Sequence, residues 1–292
     1  MVFMMVKDFS PFFTFSSGQV LNFIGEFKQN PIVISFTTTR GIFDVRFNEV
    51  GKHAFEIEYY YKGDYSEKEA REEVARMLGI GDNMKEVYSR IGTDAFMKKV
   101  IKVFYGMRLT QSDPWITSVS FIISQFNNIK NIRNGVQKMM KKFGKKIDGK
   151  YLFPTCEKIA KASKSDLMSC GVGYRYEYLH EFANACLDGK INLNSLYNKS
   201  YEEAKQELMQ FKGIGDKVAD CILLFGYGKG EAFPIDVWIK RVVERVYFHN
   251  KKVKISEIHN FASQRFGSLA GYAQQYMFQY ARTYMHNDRI RK

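Results

Sequence analysis

A lysine and an aspartate nineteen residues apart are the side chains best suited to covalent chemistry in this sequence. Lys217 follows the tight turn Gly213-Ile-Gly215 in the first turn of a predicted helix, and Asp236 precedes the next predicted helix. A neutral lysine amine is a nucleophile, and a carboxylate stabilises positive charge that develops on a nearby carbon. Cleavage of an N-glycosidic bond requires both groups.

The turn Gly213-Ile-Gly215 is predicted to join two helices. Glycine lets the backbone approach another surface closely, and the free N–H groups at the start of the second helix form a phosphate site. Such a helix–hairpin–helix binds the DNA backbone without reading bases. The pattern also fits an ordinary glycine-bridged pair of helices, and Asp236 also fits a plain N-cap. Both alternatives stay open on these residues alone.

The net charge of +13 is concentrated in one part of the chain. Residues 1–112 carry 15 basic and 14 acidic side chains, whereas residues 113–292 carry 29 and 17. A basic region of this size favours a polyanionic partner, with nucleic acid the usual candidate. The alternative is a charge that serves solubility alone. Hydrophobic residues make up 45% of the chain, which is typical of a folded globular protein.

Cysteine spacing and apolar runs argue against several classes of protein. The sequence predicts no zinc site and no iron–sulfur cluster, because no C-x-x-C pair occurs and the five histidines do not cluster near the cysteines. Reduced thiols in an intracellular protein are expected. The apolar runs are too short to cross a bilayer, and residues 1–15 do not resemble a signal peptide.

The predicted elements form two regions. Residues 31–39, 42–47 and 54–60 alternate as strands of a small antiparallel sheet, and Ser66 opens a helix that runs toward Leu78. Helical patterns dominate from residue 94 onward. The sequence therefore predicts an α+β fold, with an N-terminal β-rich domain and its following helices over residues 1–112 and an all-α domain over residues 113–292. The segments predicted as helices after residue 90 are 94–105, 115–124, 128–143, 157–168, 175–187, 200–211, 216–226, 236–248, 256–265 and 269–285.

One run and five further motifs in order carry a resemblance to a known family. The run from Gly213 to Asp236 resembles the helix–hairpin–helix DNA glycosylase superfamily, and the rest of the chain resembles its 8-oxoguanine branch. The other motifs are Ser17-Gly18-Gln19, Arg108-Leu-Thr-Gln-Ser-Asp-Pro114, Phe126-Asn-Asn-Ile129, Gly173-Tyr-Arg175 and Gly271-Tyr-Ala-Gln-Gln-Tyr-Met-Phe278.

The resemblance implies a role for each motif residue. Lys217 corresponds to the Schiff-base nucleophile and Asp236 to the essential carboxylate. The flipped base would lie between Cys221 and Phe278, with Gln274 on its Watson–Crick edge. The carbonyl of Gly18 would accept a hydrogen bond from N7–H, which 8-oxoguanine has and guanine lacks.

Further residues correspond to the DNA contacts of the family. Asn127 and Asn128 would fill the gap left by the flipped base, Tyr174 would be a wedge, and Arg175 would read the opposite base. Gly213, Gly215 and Trp238 complete the expected DNA-binding set.

Three residues depart from the family pattern. Phe126 stands where a further asparagine is common, and Asn131 stands where an arginine reads the opposite cytosine. Trp238 stands where a histidine often follows the aspartate. The first two departures predict looser selection of the opposite base.

The resemblance as a whole implies a bifunctional 8-oxoguanine DNA glycosylase and apurinic lyase. We expect a monomer that acts on double-stranded DNA containing an oxidised purine, without a membrane partner, in the cytoplasm and nucleoid or in the nucleus. No redox or metal cofactor is expected, although a structural cation at the hairpin carbonyls would be compatible. The alternatives are a glycosylase for another oxidised base and a non-catalytic helix–hairpin–helix module.

Overall fold

The computed structural model describes residues 2–27 and 31–285. Its N-terminal part is a five-stranded antiparallel sheet with the strand order β1-β5-β4-β3-β2. The predicted α+β fold and sheet are confirmed, and the two outer strands, β1 and β2, were not predicted. The strands are β1 (Val2–Lys7), β2 (Phe23–Glu26), β3 (Ile32–Thr37), β4 (Gly41–Gly51) and β5 (Ala54–Gly63).

One face of the sheet is covered by a helix, α2 (Glu67–Leu78). Strand β4 alternates buried and more exposed residues, so that its apolar side chains point to that face. The predicted capping box is present, because the Ser66 hydroxyl accepts from the Glu69 N–H and the Glu69 carboxylate accepts from the Ser66 N–H. Gly79 ends α2 in the left-handed conformation.

Helices make up most of the remaining chain. The predicted helix over residues 157–168 is divided in two, because the Ser163 hydroxyl accepts from the Asp166 N–H and begins a new helix. A short hairpin follows α6, and its strands, β6 (Lys146–Ile147) and β7 (Lys150–Tyr151), have two residues each. The other helices are α1 (Pro11–Ser16), α3 (Met84–Ile91), α4 (Ala95–Val103), α5 (Pro114–Ile123), α6 (Ile129–Phe143), α7 (Cys156–Ala160), α8 (Lys164–Ser169), α9 (Tyr176–Leu187), α10 (Tyr201–Leu208), α11 (Asp216–Tyr227), α12 (Val237–Tyr247), α13 (Ile255–Phe266) and α14 (Ala270–Tyr284).

The helices form two apolar cores. Helices α5, α6, α9 and α11 share one core, in which every residue of α5 is buried. Helices α3, α4, α12, α13 and α14 share the other. The proposed domain boundary at residue 112 stays a prediction. Across the described ranges, every helix is too short or too polar to cross a bilayer.

Candidate active site

The hairpin between α10 and α11 has the conformation that its glycines suggested. Gly213 has a φ of +85°, and a Cβ atom there would lie 2.4 Å from the ring of Tyr178. The side-chain amide of Gln125 donates to the carbonyl of Gly213 at 2.9 Å. Gly215 is the N-cap of α11, and a Cβ atom there would meet no atom within 4 Å. The hairpin is thus fixed at Gly213 and open at Gly215, where a phosphate can approach.

Lys217 lies in the first turn of α11 and extends toward α5. Its Nζ atom donates to the Ser124 hydroxyl at 3.3 Å and lies 5.3 Å from the centre of the Phe121 ring. Cys221 is buried one turn later on the same helix. Burial raises the pKa of the Cys221 thiol to about 11, against the opposing effect of the Lys217 charge. Cys221 is therefore a neutral thiol beside the amine.

Asp236 is both the N-cap of α12 and a charge partner of Lys217. Its carboxylate accepts from the N–H groups of Trp238 and Ile239, each at 2.9 Å. Burial raises the pKa of Asp236, and the two N–H donors and the Lys217 ammonium oppose that rise. The structure thus shows the capping role, and the chemical role of the same carboxylate stays a prediction.

Gln274 presents an unused hydrogen-bond acceptor next to the segment that leads to Asp236. Its side chain is 5% exposed, and Nε2 donates to the carbonyl of Pro234 at 3.0 Å. Its Oε1 atom is buried and has no hydrogen-bond partner among the described residues. A buried acceptor without a partner is costly, so the site favours a ligand that supplies N–H donors. Phe278 follows one turn later on α14 and is half-buried.

Gly18 lies beside α14 in a conformation that favours glycine. Its φ is +86°, and a Cβ atom there would lie 2.5 Å from Cδ1 of Ile129. The neighbouring Ser17 carbonyl accepts from the side-chain amide of Gln275 at 3.3 Å. The Gln19 side chain donates to the Arg108 carbonyl at 2.8 Å. These bonds tie the Gly18 segment to α14 and to the chain that follows α4.

The loop between α5 and α6 connects several predicted DNA contacts. Phe126 is 97% exposed and has a φ of +47°, an uncommon conformation for a residue with a side chain. Asn127 donates to the carbonyl of Ile123 at 3.5 Å, and Asn128 caps α6. Asn131 is exposed in the first turn of α6. The loop thus presents an aromatic ring to solvent two residues after Ser124, the hydrogen-bond partner of Lys217.

Arg175 is buried, which the sequence did not suggest. Its guanidinium donates to the carbonyl of Gln125 at 2.8 Å and to that of Val172 at 3.2 Å. Its guanidinium carbon also lies 4.6 Å from the centre of the half-exposed Tyr174 ring. In this structure Arg175 holds the loop that carries Phe126, and its role as reader of the opposite base stays a prediction. Trp238 is half-buried, with its ring 5.6 Å from the guanidinium of Arg241.

Behind the hairpin lies a charged cluster that was not predicted from the sequence. Lys205 Nζ lies 2.7 Å from a carboxylate oxygen of Asp216 and 2.8 Å from one of Asp220, and His259 Nε2 lies 2.9 Å from Asp216. Among the described residues, Asp216, Asp220 and His259 form a group with metal-ligand spacing. The Lys205 ammonium already supplies a cation there. No local signal could have revealed the cluster, because its members come from α10, α11 and α13.

Arg282 is a second residue that the sequence did not reveal. It lies on α14 one turn after Phe278, with its guanidinium carbon 5.4 Å from the centre of that ring. The spacing i, i+4 from Phe278 was the available signal.

A family model described as HhH-GPD superfamily base excision DNA repair protein matches residues 119–266. The chain belongs to this superfamily. The matched segment contains the hairpin, Lys217 and Asp236, so the superfamily match and the site geometry concern the same part of the protein.

Named relatives of the superfamily match parts of the chain. A protein named "Probable N-glycosylase/DNA lyase" from Methanothermobacter thermautotrophicus is 38% identical over 130 residues, which are 44% of this chain and 41% of the relative. The "N-glycosylase/DNA lyase" of Saccharomyces cerevisiae is 30% identical over 211 residues, which are 59% of this chain and 56% of the relative. The chain thus spans about half the length of these relatives.

Solved structures of the superfamily match almost the whole chain. MBOgg1, solved in complex with a low affinity DNA ligand, is 29% identical with a TM-score of 0.85, over 97% of this chain and 96% of that one. The 8-oxoguanine glycosylase/lyase of Clostridium acetobutylicum was solved with double-stranded DNA containing cytosine opposite 8-oxoguanine. It is 28% identical with a TM-score of 0.83, over 97% of this chain and 98% of that one.

Proposed function

We propose that the protein is a bifunctional DNA glycosylase and abasic-site lyase that excises 8-oxoguanine from double-stranded DNA. One observation carries the proposal: Lys217 lies in the first turn of α11 directly after the glycine hairpin, and Asp236 begins α12 with a carboxylate that two backbone N–H groups hold and whose pKa the Lys217 charge lowers. The superfamily membership and the solved 8-oxoguanine glycosylase/lyase with the same fold support it.

The proposed chemistry uses protein side chains and DNA alone. The neutral Lys217 amine attacks C1′ of the sugar, and the C1′–N9 bond breaks with its electron pair remaining on the base. The Asp236 carboxylate stabilises the positive charge that develops on the sugar. The sugar ring then opens: the C1′–O4′ bond breaks, O4′ takes the proton released by the amine, and a protonated imine joins Nζ to C1′. The imine makes the 2′ proton acidic, and loss of that proton to water eliminates the 3′ phosphate.

The base pocket supports a guanine-type substrate. Guanine and 8-oxoguanine carry N–H donors at N1 and N2 on the Watson–Crick edge, and these match the unused Oε1 acceptor of Gln274. A planar base could stack between Phe278 and the neutral thiol of Cys221, and the Gly18 carbonyl could accept from N7–H. The base must first be extruded from the duplex to reach these groups.

Borohydride trapping tests the proposal directly. The imine is reduced by borohydride to a stable protein–DNA bond, so the wild-type protein should be trapped on a duplex with 8-oxoguanine. Duplexes with thymine glycol or undamaged guanine should give much less product. Preferential trapping on thymine glycol would support a glycosylase for another oxidised base, and no trapping on any duplex would support a binding module.

A pair of lysine variants identifies the nucleophile. Lys217→Gln should abolish trapping on 8-oxoguanine DNA. Lys212→Gln is the matched control, because Lys212 lies in the same hairpin and its ammonium faces Glu177 at the surface. At saturating protein this control should be trapped at the wild-type yield. Wild-type trapping by Lys217→Gln would refute the assignment.

The proposed function also bears on partners and place of action. We infer that the protein acts as a monomer on genomic DNA, in the nucleoid or nucleus. Sedimentation of the protein with one lesion duplex tests the stoichiometry, and a complex with two protein chains per lesion would contradict it.

A further inference from the structure

Arg282 is a cation of α14 that the chemistry described so far does not use. It follows Phe278 by four residues and Gln274 by eight, so the three side chains lie along one face of the helix. Nη1 of Arg282 lies 3.3 Å from Oε1 of Gln279 and 3.5 Å from the carbonyl oxygen of Ser16. The guanidinium therefore lies between α14 and the segment that leads to Gly18.

The guanidinium of Arg282 lies near Gly18 and is affected by the charge of Asp236. A Cβ atom on Gly18 would lie 3.8 Å from Nη1 of Arg282. Burial lowers the pKa of Arg282, and the Asp236 charge opposes that effect. Arg282 thus lies near the Gly18 segment and also interacts with the carboxylate that faces Lys217.

Arg282 has hydrogen-bond donors to spare. A guanidinium has five N–H donors, and in the described part of the chain both hydrogen bonds of Arg282 come from Nη1 and are long. A half-buried charge with few partners is costly. The arrangement therefore favours an acceptor that arrives with the ligand.

We propose that Arg282 contacts the lesion itself and donates to the oxygen on C8 of the flipped 8-oxoguanine. This inference rests on the proposed function. If the Gly18 carbonyl accepts from N7–H, the neighbouring atom of the base is C8, which carries an oxygen in 8-oxoguanine and only a hydrogen in guanine. A donor beside Gly18 then meets an acceptor that the undamaged base lacks.

The same contact acts on the bond that breaks. When the C1′–N9 bond breaks, its electron pair stays on the base, and the anion is delocalised over the ring onto O8. A guanidinium that donates to O8 stabilises this anion, and a proton from water neutralises the base afterwards. The step requires no further reactant. Arg282 thus both selects the lesion and assists its departure.

Comparison of two reactions tests the role of Arg282. Arg282→Met should lower single-turnover excision of 8-oxoguanine by about 10- to 100-fold, the usual effect of losing a hydrogen bond to a charged group. Cleavage of a preformed abasic site involves no base, so it should fall by less than about threefold. Arg282→Lys keeps the charge and should give an intermediate excision rate. Arg90→Met is the matched control, because Arg90 is an exposed arginine of α3 paired with Glu86.

Several outcomes would overturn the inference. An equal fall in both reactions would indicate a phosphate contact or a packing role, and an unchanged excision rate would show that Arg282 does not contact the lesion. Absence of excision by the wild-type protein would instead refute the proposed function, and the inference with it.

A second substrate tests whether Arg282 contacts O8 or the oxygen on C6 of 8-oxoguanine. The base 8-oxoadenine keeps O8 and N7–H but has an amino group on C6. In competition binding, the wild-type protein should prefer a duplex with 8-oxoadenine to one with adenine, and Arg282→Met should lose most of that preference. A preference that survives unchanged in the variant would contradict a contact with O8.

Discussion

Asp236 caps α12, and in the proposed function the same carboxylate also stabilises charge on the sugar, so a single substitution can separate the two roles. Asparagine is as good an N-cap as aspartate, so Asp236→Asn should keep the start of α12 and change the stability little. It removes the charge that faces Lys217, and we expect excision to fall by about 100-fold or more. Asp113→Asn is the control, because Asp113 caps α5 in the same way outside the site.

The pH dependence of excision follows from the same carboxylate. Burial raises the pKa of Asp236 above its ordinary value near 3.9. Because the reaction needs the ionised form, the rate should fall as the pH falls through this raised pKa. The fall should begin at a higher pH than it would for an exposed aspartate. Single-turnover rates measured against pH should fall more steeply on the acid side in the wild type than in Asp236→Asn, because the variant has no carboxylate to protonate at this position. Equal steepness in the two proteins would assign the acid limb to another group.

The exposed ring of Phe126 bears on the choice of opposite base. An aromatic face offers no hydrogen-bond pattern that distinguishes cytosine from adenine. The side chain of Asn131 is too short to replace the two donors of an arginine. The donors of Arg175 already bind backbone carbonyls. We therefore expect excision of 8-oxoguanine opposite adenine to proceed within about tenfold of the rate opposite cytosine. Single-turnover rates on the two duplexes decide it, and a thousandfold preference for cytosine would refute the argument. Asn131→Arg should restore a preference for cytosine.

At the scale of elements, the hairpin is held in place by the charged cluster behind it. Lys205→Met would leave Asp216 and Asp220 facing each other without the ammonium, and removal of one partner from a buried charge cluster costs about 3–5 kcal/mol. Urea unfolding should show a loss of that size. Lys190→Met, which breaks an exposed pair with Asp188, should cost less than about 1 kcal/mol. A second substitution, Asp220→Asn, should recover part of the loss, and a Lys205 effect as small as the control would contradict this role.

Local signals explain which elements could be predicted from the sequence. The capping box at Ser66 and the glycine turn at Gly213 act within a few residues, so they indicated α2 and the hairpin correctly. Strand β1 pairs with β5, whose partner residues lie more than forty positions away, and it was missed. The position of Arg282 beside Gly18 was missed for the same reason, because the two residues are at opposite ends of the chain.

At the scale of the whole molecule, the basic region should dominate binding to DNA. Residues 113–292 carry 29 basic and 17 acidic side chains. If about five to seven phosphates are neutralised, the logarithm of the association constant should fall against that of salt concentration with a slope of roughly −4 to −6. Fluorescence anisotropy should give the same slope for lesion and undamaged duplexes, because contacts to an uncharged base release no counterions from the phosphates. A slope near zero would contradict a phosphate-dominated interface.

Helices α3, α4, α12, α13 and α14 share one core, so this core cannot be completed until α14 has been synthesised. From Val103 at the end of α4 to Val237 at the start of α12 the ribosome must add 134 residues. At cellular elongation rates this takes on the order of ten seconds, during which the apolar faces of α3 and α4 lack their final partners. Gln274 and Phe278 arrive later still, on α14. Under the proposed function, a nascent chain therefore carries the hairpin and its lysine before it has a base pocket, and it acquires lesion recognition last.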